Sequence, residues 1–287
     1  MKANTSRTIR TGVHALLLGM IATAGVAAEA DAREIVRRAV LADRQNWQGA
    51  RNYGFSERVD ERRLNSEGDL KTKEVILYEV TLPEGSPYRR ITGRGDLPLL
   101  PAEDRKEREK LRASIAQRRR ENAAQRSSRL AAYEEPPKWR REAWMELPDA
   151  FEFRLIGQET VGGHRVHVIE ATPRPDYKPR SGTAKMFRSL LGRLWVEVED
   201  YQLVKAEVEV TDDLWFGVFL VRLAKGATAS FEMARADRNI WLPHRVRALA
   251  SFRIGLIHVR HLQHEIRYSE GRDLRTSPAI TSLLEGR

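Results

Sequence analysis

Gly192-Arg193-Leu194-Trp195-Val196-Glu197-Val198-Glu199, returning after Asp200-Tyr201-Gln202 as Leu203-Val204-Lys205-Ala206-Glu207-Val208-Glu209-Val210, is the stretch that decides the fold. Leu194, Val196 and Val198 alternate with Trp195, Glu197 and Glu199, and Val204, Ala206, Val208 and Val210 alternate with Lys205, Glu207 and Glu209. Successive side chains of a strand point to opposite faces, so each run carries one apolar and one wet face. The connection between them has hairpin length. Downstream, strand-like runs recur over 216–224, 229–237, 240–252 and 254–269. Upstream, Phe151–Leu155 and Arg165–Thr172 read as strands, the second entered through a Gly162-Gly163 hairpin turn. Residues 173–181 hold three prolines and read as a loop, and 183–191 reads as a short helix stopped by Gly192. Such a meander predicts an α+β protein built on one large curved antiparallel sheet or an open barrel, with helices covering its apolar face.

The N-terminal half supplies the cover. Asp31 and Glu34 have capping-box spacing, and Ile35, Val36, Ala39, Val40 and Trp47 follow at helical spacing, which predicts an amphipathic helix over 31–48. Tyr53–Val59 and Thr72–Thr81 read as strands around an Asn65–Asp69 turn, and a short strand spans 88–92 after the break at 83–87. The segment near 101–135 is dense in Arg, Lys, Glu and Ala, which predicts a largely solvated helical insert ended by Pro136-Pro137.

Lys2, Arg7 and Arg10 precede an apolar run from Val13 to Ala27 that ends in small residues, the order of a secretory signal. This predicts a leader over 1–30, an exported domain over 31–275 carrying the insert, and a loose tail over 276–287. The run is shorter than the roughly 20 residues a membrane span needs. The chain has no Cys, so stability must come from packing rather than disulfides, and no thiol is available to carry a lipid. Its net charge is +10 from 50 Lys and Arg against 40 Asp and Glu, a balance suited to anionic surfaces. Export argues against nucleic acid as the partner. Arg118, Arg119 and Arg120 form the basic cluster expected to meet membrane headgroups, with Arg126 and Arg129 close in sequence.

With these residues in view, the chain resembles the periplasmic lipoprotein-carrier superfamily typified by LolA, LolB and RseB. Gly192-Arg193-Leu194-Trp195-Val196-Glu197 is similar to that family's G-x-L-W-I-D strand, Val204-Lys205 to its return strand, and Gly162–Pro173 to the strand before it. The resemblance extends over about 31–100 and 140–270 and implies a half-open barrel with a helical lid over an apolar cavity. The insert near 101–135 departs from the short carriers.

Other chemistry is thinly signalled. His258, His261 and His264 have H-x-x-H-x-x-H spacing, but on a strand His261 points away from the other two, so one metal cannot take all three. The sequence contains no nucleophile elbow, zinc-protease helix or P-loop. Gly93-Arg94-Gly95 is too short to cradle a phosphate, and the glutamates of 197–209 read as a wet strand face. The expected function is therefore a carrier or sensor for a lipid or an acylated protein, without catalysis, metal or cofactor. Its cavity would be lined by Leu194, Val196, Val198, Val208, Phe219, Phe231, Met233 and Phe252. A filled protein-interaction module is the alternative.

Overall fold

The computed structural model describes residues 13–216, 221–254, 258–269 and 271–274. Helix α1 (Val13–Ala50) runs without a break past Asp31, so the helix begins earlier than the capping spacing predicts. Ala32, Val36, Ala39, Asp43 and Asn46 form its buried stripe. Strands β1 (Tyr53–Leu64) and β2 (Leu70–Thr81) follow. The Asn65 side chain closes their turn by accepting the backbone N–H groups of Glu67 and Asp69 at 3.0 and 2.7 Å. Strands β3 (Tyr88–Arg94) and β4 (Leu97–Pro98) complete this half of the sheet.

Three helices come next. In α2 (Pro101–Arg119) a proline occupies the first position, where its missing N–H costs nothing, and the Glu103 carboxylate accepts the Leu100 N–H. In α3 (Ala123–Glu134) Asn122 and Gln125 cap each other reciprocally. Helix α4 (Lys138–Ala150) has no counterpart among the sequence expectations. Its Trp144 and Leu147 pack on the core, but Pro148 and the exposed Trp139 and Met145 obscure the periodicity.

Strands β5 (Phe151–Val161) and β6 (His164–Pro173) form a hairpin across Gly162 and Gly163, whose φ angles of 56° and 84° explain why both are glycine. Residues Thr183–Ser189 make a 3-10 turn, and β7 (Leu190–Glu197) already begins at Leu190, two residues before the expected stop. Strands β8 (Leu203–Val210), β9 (Leu214–Phe216), β10 (Val221–Leu223), β11 (Thr228–Asp237), β12 (Ile240–Ile254), β13 (His258–Tyr268) and β14 (Arg272–Asp273) follow. The strand expected over 216–224 is thus a hairpin of β9 and β10. Trp215 within it is 47% exposed.

One open antiparallel sheet results, ordered β4-β3-β2-β1-β13-β12-β11-β8-β7-β6-β5, with β9 and β10 set beside β12 and β14 beside β1. Along that order chain neighbours pair except where β1 meets β13, where β11 meets β8 past β9 and β10, and where α2, α3 and α4 carry the chain from one edge of the sheet, β4, to the other, β5. The Arg-rich insert is part of that crossover. The main core lies over β5–β8, where Ala32, Val36 and Ala39 of α1 meet Phe151, Phe153, Ile169, Leu194 and Val196. Phe187 of the 3-10 turn closes it edge-on against Phe151, with ring centres 5.3 Å apart.

Candidate functional site

The register of the sheet assembles the site. Leu155, Ile169, Leu194, Ala206, Phe231, Val246, Ile266, Val59 and Ile76 are consecutive cross-strand partners from β5 to β2. Directly paired residues share a face, so these nine form one unbroken apolar row across the sheet. The row beside it, displaced by two residues along each strand, runs Phe153, Ala171, Gly192, Val208, Ala229 and Ala248 before reaching His264 and Glu61. Small side chains there leave depth between taller neighbours.

The helices cover this face unevenly. Leu194, 7% exposed, and Val196, fully buried, are packed in the core beside α1. Farther along, Phe231, Val246, Ile266, Val59 and Ile76 are only half-buried. The close helical contacts of α1 and α4 go to β5, β7, β8 and the start of β12, and those of α2 to β3. Where the row continues over β1 and β2, Phe55 meets Tyr268 edge-on at 5.5 Å, and the Arg89 guanidinium lies 3.5 Å from the Tyr78 ring centre while pairing with Glu57. Burial pushes the Tyr268 phenol up to about 12, so it stays neutral and serves as an apolar ring here.

The opposite face is ionic. Glu170, Arg193, Glu207, Ser230, Arg247 and Glu265 are cross-strand partners in turn, and Asp60 continues the row on β1. Arg154 and Arg193 both pair with Glu170, Arg247 with Glu232, and Arg245 and Arg267 with Glu265. Burial works to raise Glu265, but hydrogen bonds from Arg267 and Arg245 outweigh it and hold the carboxyl below its ordinary range. Asp60 behaves likewise, with burial outweighed by Arg62, Lys73 and Arg58. A trough of about 770 Å³ is lined by this row and its neighbour Leu191, Glu209, Thr228, Leu249 and Gln263, and also by Ala171, Gly192, Val208, Ala229 and Ala248 of the row of small side chains.

The predicted lining residues therefore scatter. Leu194 and Val196 are core. Val198 lies in the turn beyond β7, its N–H donating to the Arg165 carbonyl at 3.1 Å. Val208 borders the trough. Phe231 packs against, and Met233 belongs to, a second buried cluster with Val166, Val168, Trp195, Val204 and Trp241. Phe252 sits half-buried on β12 between Leu223 and Arg260. Phe219 lies outside the described residues. Val59, Ile76, Val246 and Ile266, which sequence reasoning did not single out, carry the exposed part of the row. Their alternation was visible, but which distant strands they join was not.

The basic cluster is corrected more sharply. Arg118 donates to the carbonyl oxygens of Pro83, Ser86 and Pro87 at 2.7, 2.7 and 2.9 Å. Arg119 and Arg126 pair with Glu84, and Arg129 reaches Glu121, the Glu84 carbonyl and Ser86. These side chains clamp the 83–87 loop, where Glu84 sits at φ 52°, and are spent within the protein. Arg119 and Arg120 are both exposed, and of the trio Arg120 has no bond of this kind to the loop. Glu197, expected on a wet face, is 4% exposed and accepts the backbone N–H groups of Glu199 and Asp200 to close the β7–β8 turn. The histidines lie on β13 as expected, with His261 held by Ser251 at 2.6 Å while His264 pairs across to Ala248 on the other face. Among the described residues, no group of three His, Asp or Glu side chains is placed to hold a metal ion.

No family model matches the chain, and no curated protein matches it. Among solved structures it is similar, at low identity, to three others. One is an outer membrane lipoprotein-sorting protein domain from Vibrio parahaemolyticus (12% identity, TM-score 0.33, covering 86% of this chain and 96% of that one). Another is a LolA superfamily protein from Nitrosomonas europaea (15%, 0.31, 87% and 96%). A third is a DUF1329 family protein from Desulfovibrio piger (14%, 0.32, 89% and 99%). Matches this distant transfer neither ligand nor activity. No described helix is long and apolar enough to cross a membrane.

Proposed function

We propose that this protein is an exported carrier that holds a lipid, or the acyl chain of a lipoprotein, on the apolar face of its sheet without breaking bonds. The observation that carries this reading is the continuation of the apolar row past its helical cover, from Phe231 through Val246, Ile266 and Val59 to Ile76. Each buried CH₂ contributes about 0.8 kcal/mol, so one long chain laid along the row gains on the order of 10 kcal/mol before ordering costs. The basic, apolar and small-residue order of segment 1–30 supports work in the periplasm.

The first test is native mass spectrometry of the protein taken from its own periplasm, with lipid extraction of the same sample. Bound phospholipid or acylated peptide at a defined stoichiometry is the expected result. Val246→Asp, which sets a charge in the middle of the exposed row, should abolish uptake of added fatty ligand while the protein stays folded. A folded Val246→Asp protein that still binds would remove this face from consideration. A clean apo mass with no uptake would favour the filled interaction module, a reading supported by the packing of Leu194 and Val196.

A further inference from the structure

The clamp of Arg118 and Arg129 on the 83–87 loop has no part in the carrier reading, yet it holds one wall of a hollow. That hollow, of about 320 Å³, lies between the end of α1, the loop and α3. Leu82, Leu130, Leu274 and Tyr133 give it apolar walls, and Arg51 and Glu134 supply its charges.

The walls are fixed by bonds within the protein. Tyr133 donates its hydroxyl to the Arg51 carbonyl at 2.7 Å, and the Trp47 indole donates to the Glu134 carbonyl at 3.1 Å, which latches α3 to the end of α1. On the other side Arg118 and Arg129 donate to the carbonyl oxygens of Pro83, Ser86 and Glu84. Gly85 lines the hollow at φ 83°, and a Cβ there would meet Leu130 Cδ2 at 3.0 Å. Walls held in this way lower the ordering cost of binding.

The arginines that hold the loop are engaged, but Arg51 is not. It is half-buried, and among the described residues no carboxylate pairs with its guanidinium. Its charge opposes the rise that burial imposes on the Tyr133 phenol, so the guanidinium stands near the hydroxyl end of that ring. A cation without an anion of its own, beside an apolar hollow, suits a carboxylate that carries an apolar tail. Glu134 is exposed and also has no ion pair among the described residues, and its charge disfavours a head with a second negative charge.

We propose that this hollow is a second binding site, for a small apolar monocarboxylate, with Arg51 taking the carboxylate and Leu82, Leu130, Leu274 and Tyr133 enclosing the tail. Its volume of about 320 Å³ is at the small end of ligand sites. Leu82 lies six residues beyond Ile76, about 20 Å of extended chain, so the site stands apart from the exposed row and does not depend on what that row carries.

The test is calorimetric titration of the full chain with octanoate, octanol and octylammonium, repeated on Val246→Asp to tell this site from the row. Octanoate should bind at least about tenfold tighter than octanol, since only the former makes a charge-assisted bond, and octylammonium should not bind. Arg51→Gln should bring octanoate down to the octanol level and leave octanol unchanged. Leu130→Trp, which fills the hollow, should remove both in a protein that still unfolds cooperatively. Val246→Asp should keep the octanoate site. Octanoate binding no tighter than octanol, unchanged octanoate binding by Arg51→Gln, or loss of the site in Val246→Asp would each overturn the assignment. A chain that takes up no long-chain lipid but binds octanoate through Arg51 would sink the carrier reading and leave this one standing.

Discussion

Asn46 does for β12 what a neighbouring strand would do. Its amide nitrogen donates to the Trp241 carbonyl and its amide oxygen accepts the Trp241 N–H, both at 2.8 Å. Three residues earlier on the same buried stripe, Asp43 accepts from Arg140 of α4 at 2.6 Å. Two polar residues thus sit where a sequence pattern wants apolar ones, because each has a hydrogen-bonding partner that offsets at least part of its desolvation. Asn46→Ala leaves two buried backbone groups unpaired and should cost about 2–6 kcal/mol in denaturant unfolding, taking about 1–3 for each. Burial raises the Asp43 carboxyl, partly offset by the Arg140 charge and hydrogen bond. A raised folded value means that the protonated form is the better tolerated one, and stability is lost as pH rises through it. Arg140→Ala should therefore cost about 2–3 kcal/mol near neutral pH, below a fully buried pair because Arg140 is a quarter exposed, and less in acid. A deficit independent of pH would contradict this account. None of these partners is visible in sequence, since Asn46 and Trp241 lie 195 residues apart.

At the scale of elements, composition announced the insert helices and misled about their use. Few large apolar residues in 101–135 meant solvated helices, and α2 indeed buries only Leu111 and Ile115. The arginines, however, complete a loop rather than face a membrane, because the C-terminal end of α2 lies against 83–87, whose carbonyls need donors. Arg118→Ala should cost about 1–3 kcal/mol and speed amide exchange across 83–88, whereas Arg120→Ala should change neither. If Arg120→Ala destabilises as much as Arg118→Ala, the clamp is misassigned. The same logic holds for α4. Its Glu146 accepts from Tyr177 and from the Arg180 N–H, at 2.7 Å for the latter, and pins the proline-rich loop that periodicity could only call irregular.

For the whole molecule, one face of the sheet is apolar and the other ion-paired across most of its strands. Asp60, Glu146 and Glu265 are all buried enough to be raised, yet their partners hold each below its ordinary range. Depressed folded values give stability that is present above the unfolded values and lost as pH falls through the folded ones. The Tm should accordingly be level near neutrality and decline below about pH 4, where unfolded carboxyls protonate. A Tm that rises on acidification would show that these pairs do not support the fold.

Alternation along each strand, the Gly162-Gly163 turn and the helix stripe beginning at Ile35 were enough to dictate an open antiparallel sheet covered by helices. These are local preferences, set by backbone geometry and the period of the apolar residues, and they survive in any tertiary context. Tertiary structure alone decided that β1 closes onto β13, that three helices cross from one sheet edge to the other, and that the cover stops short of Val59 and Ile76. It also decided which arginines are consumed by carbonyls and carboxylates and which, like Arg51, are left without a carboxylate partner among the described residues. Cross-strand register and side-chain pairing join residues up to some two hundred positions apart, and no periodicity within one segment encodes which distant segment it will meet.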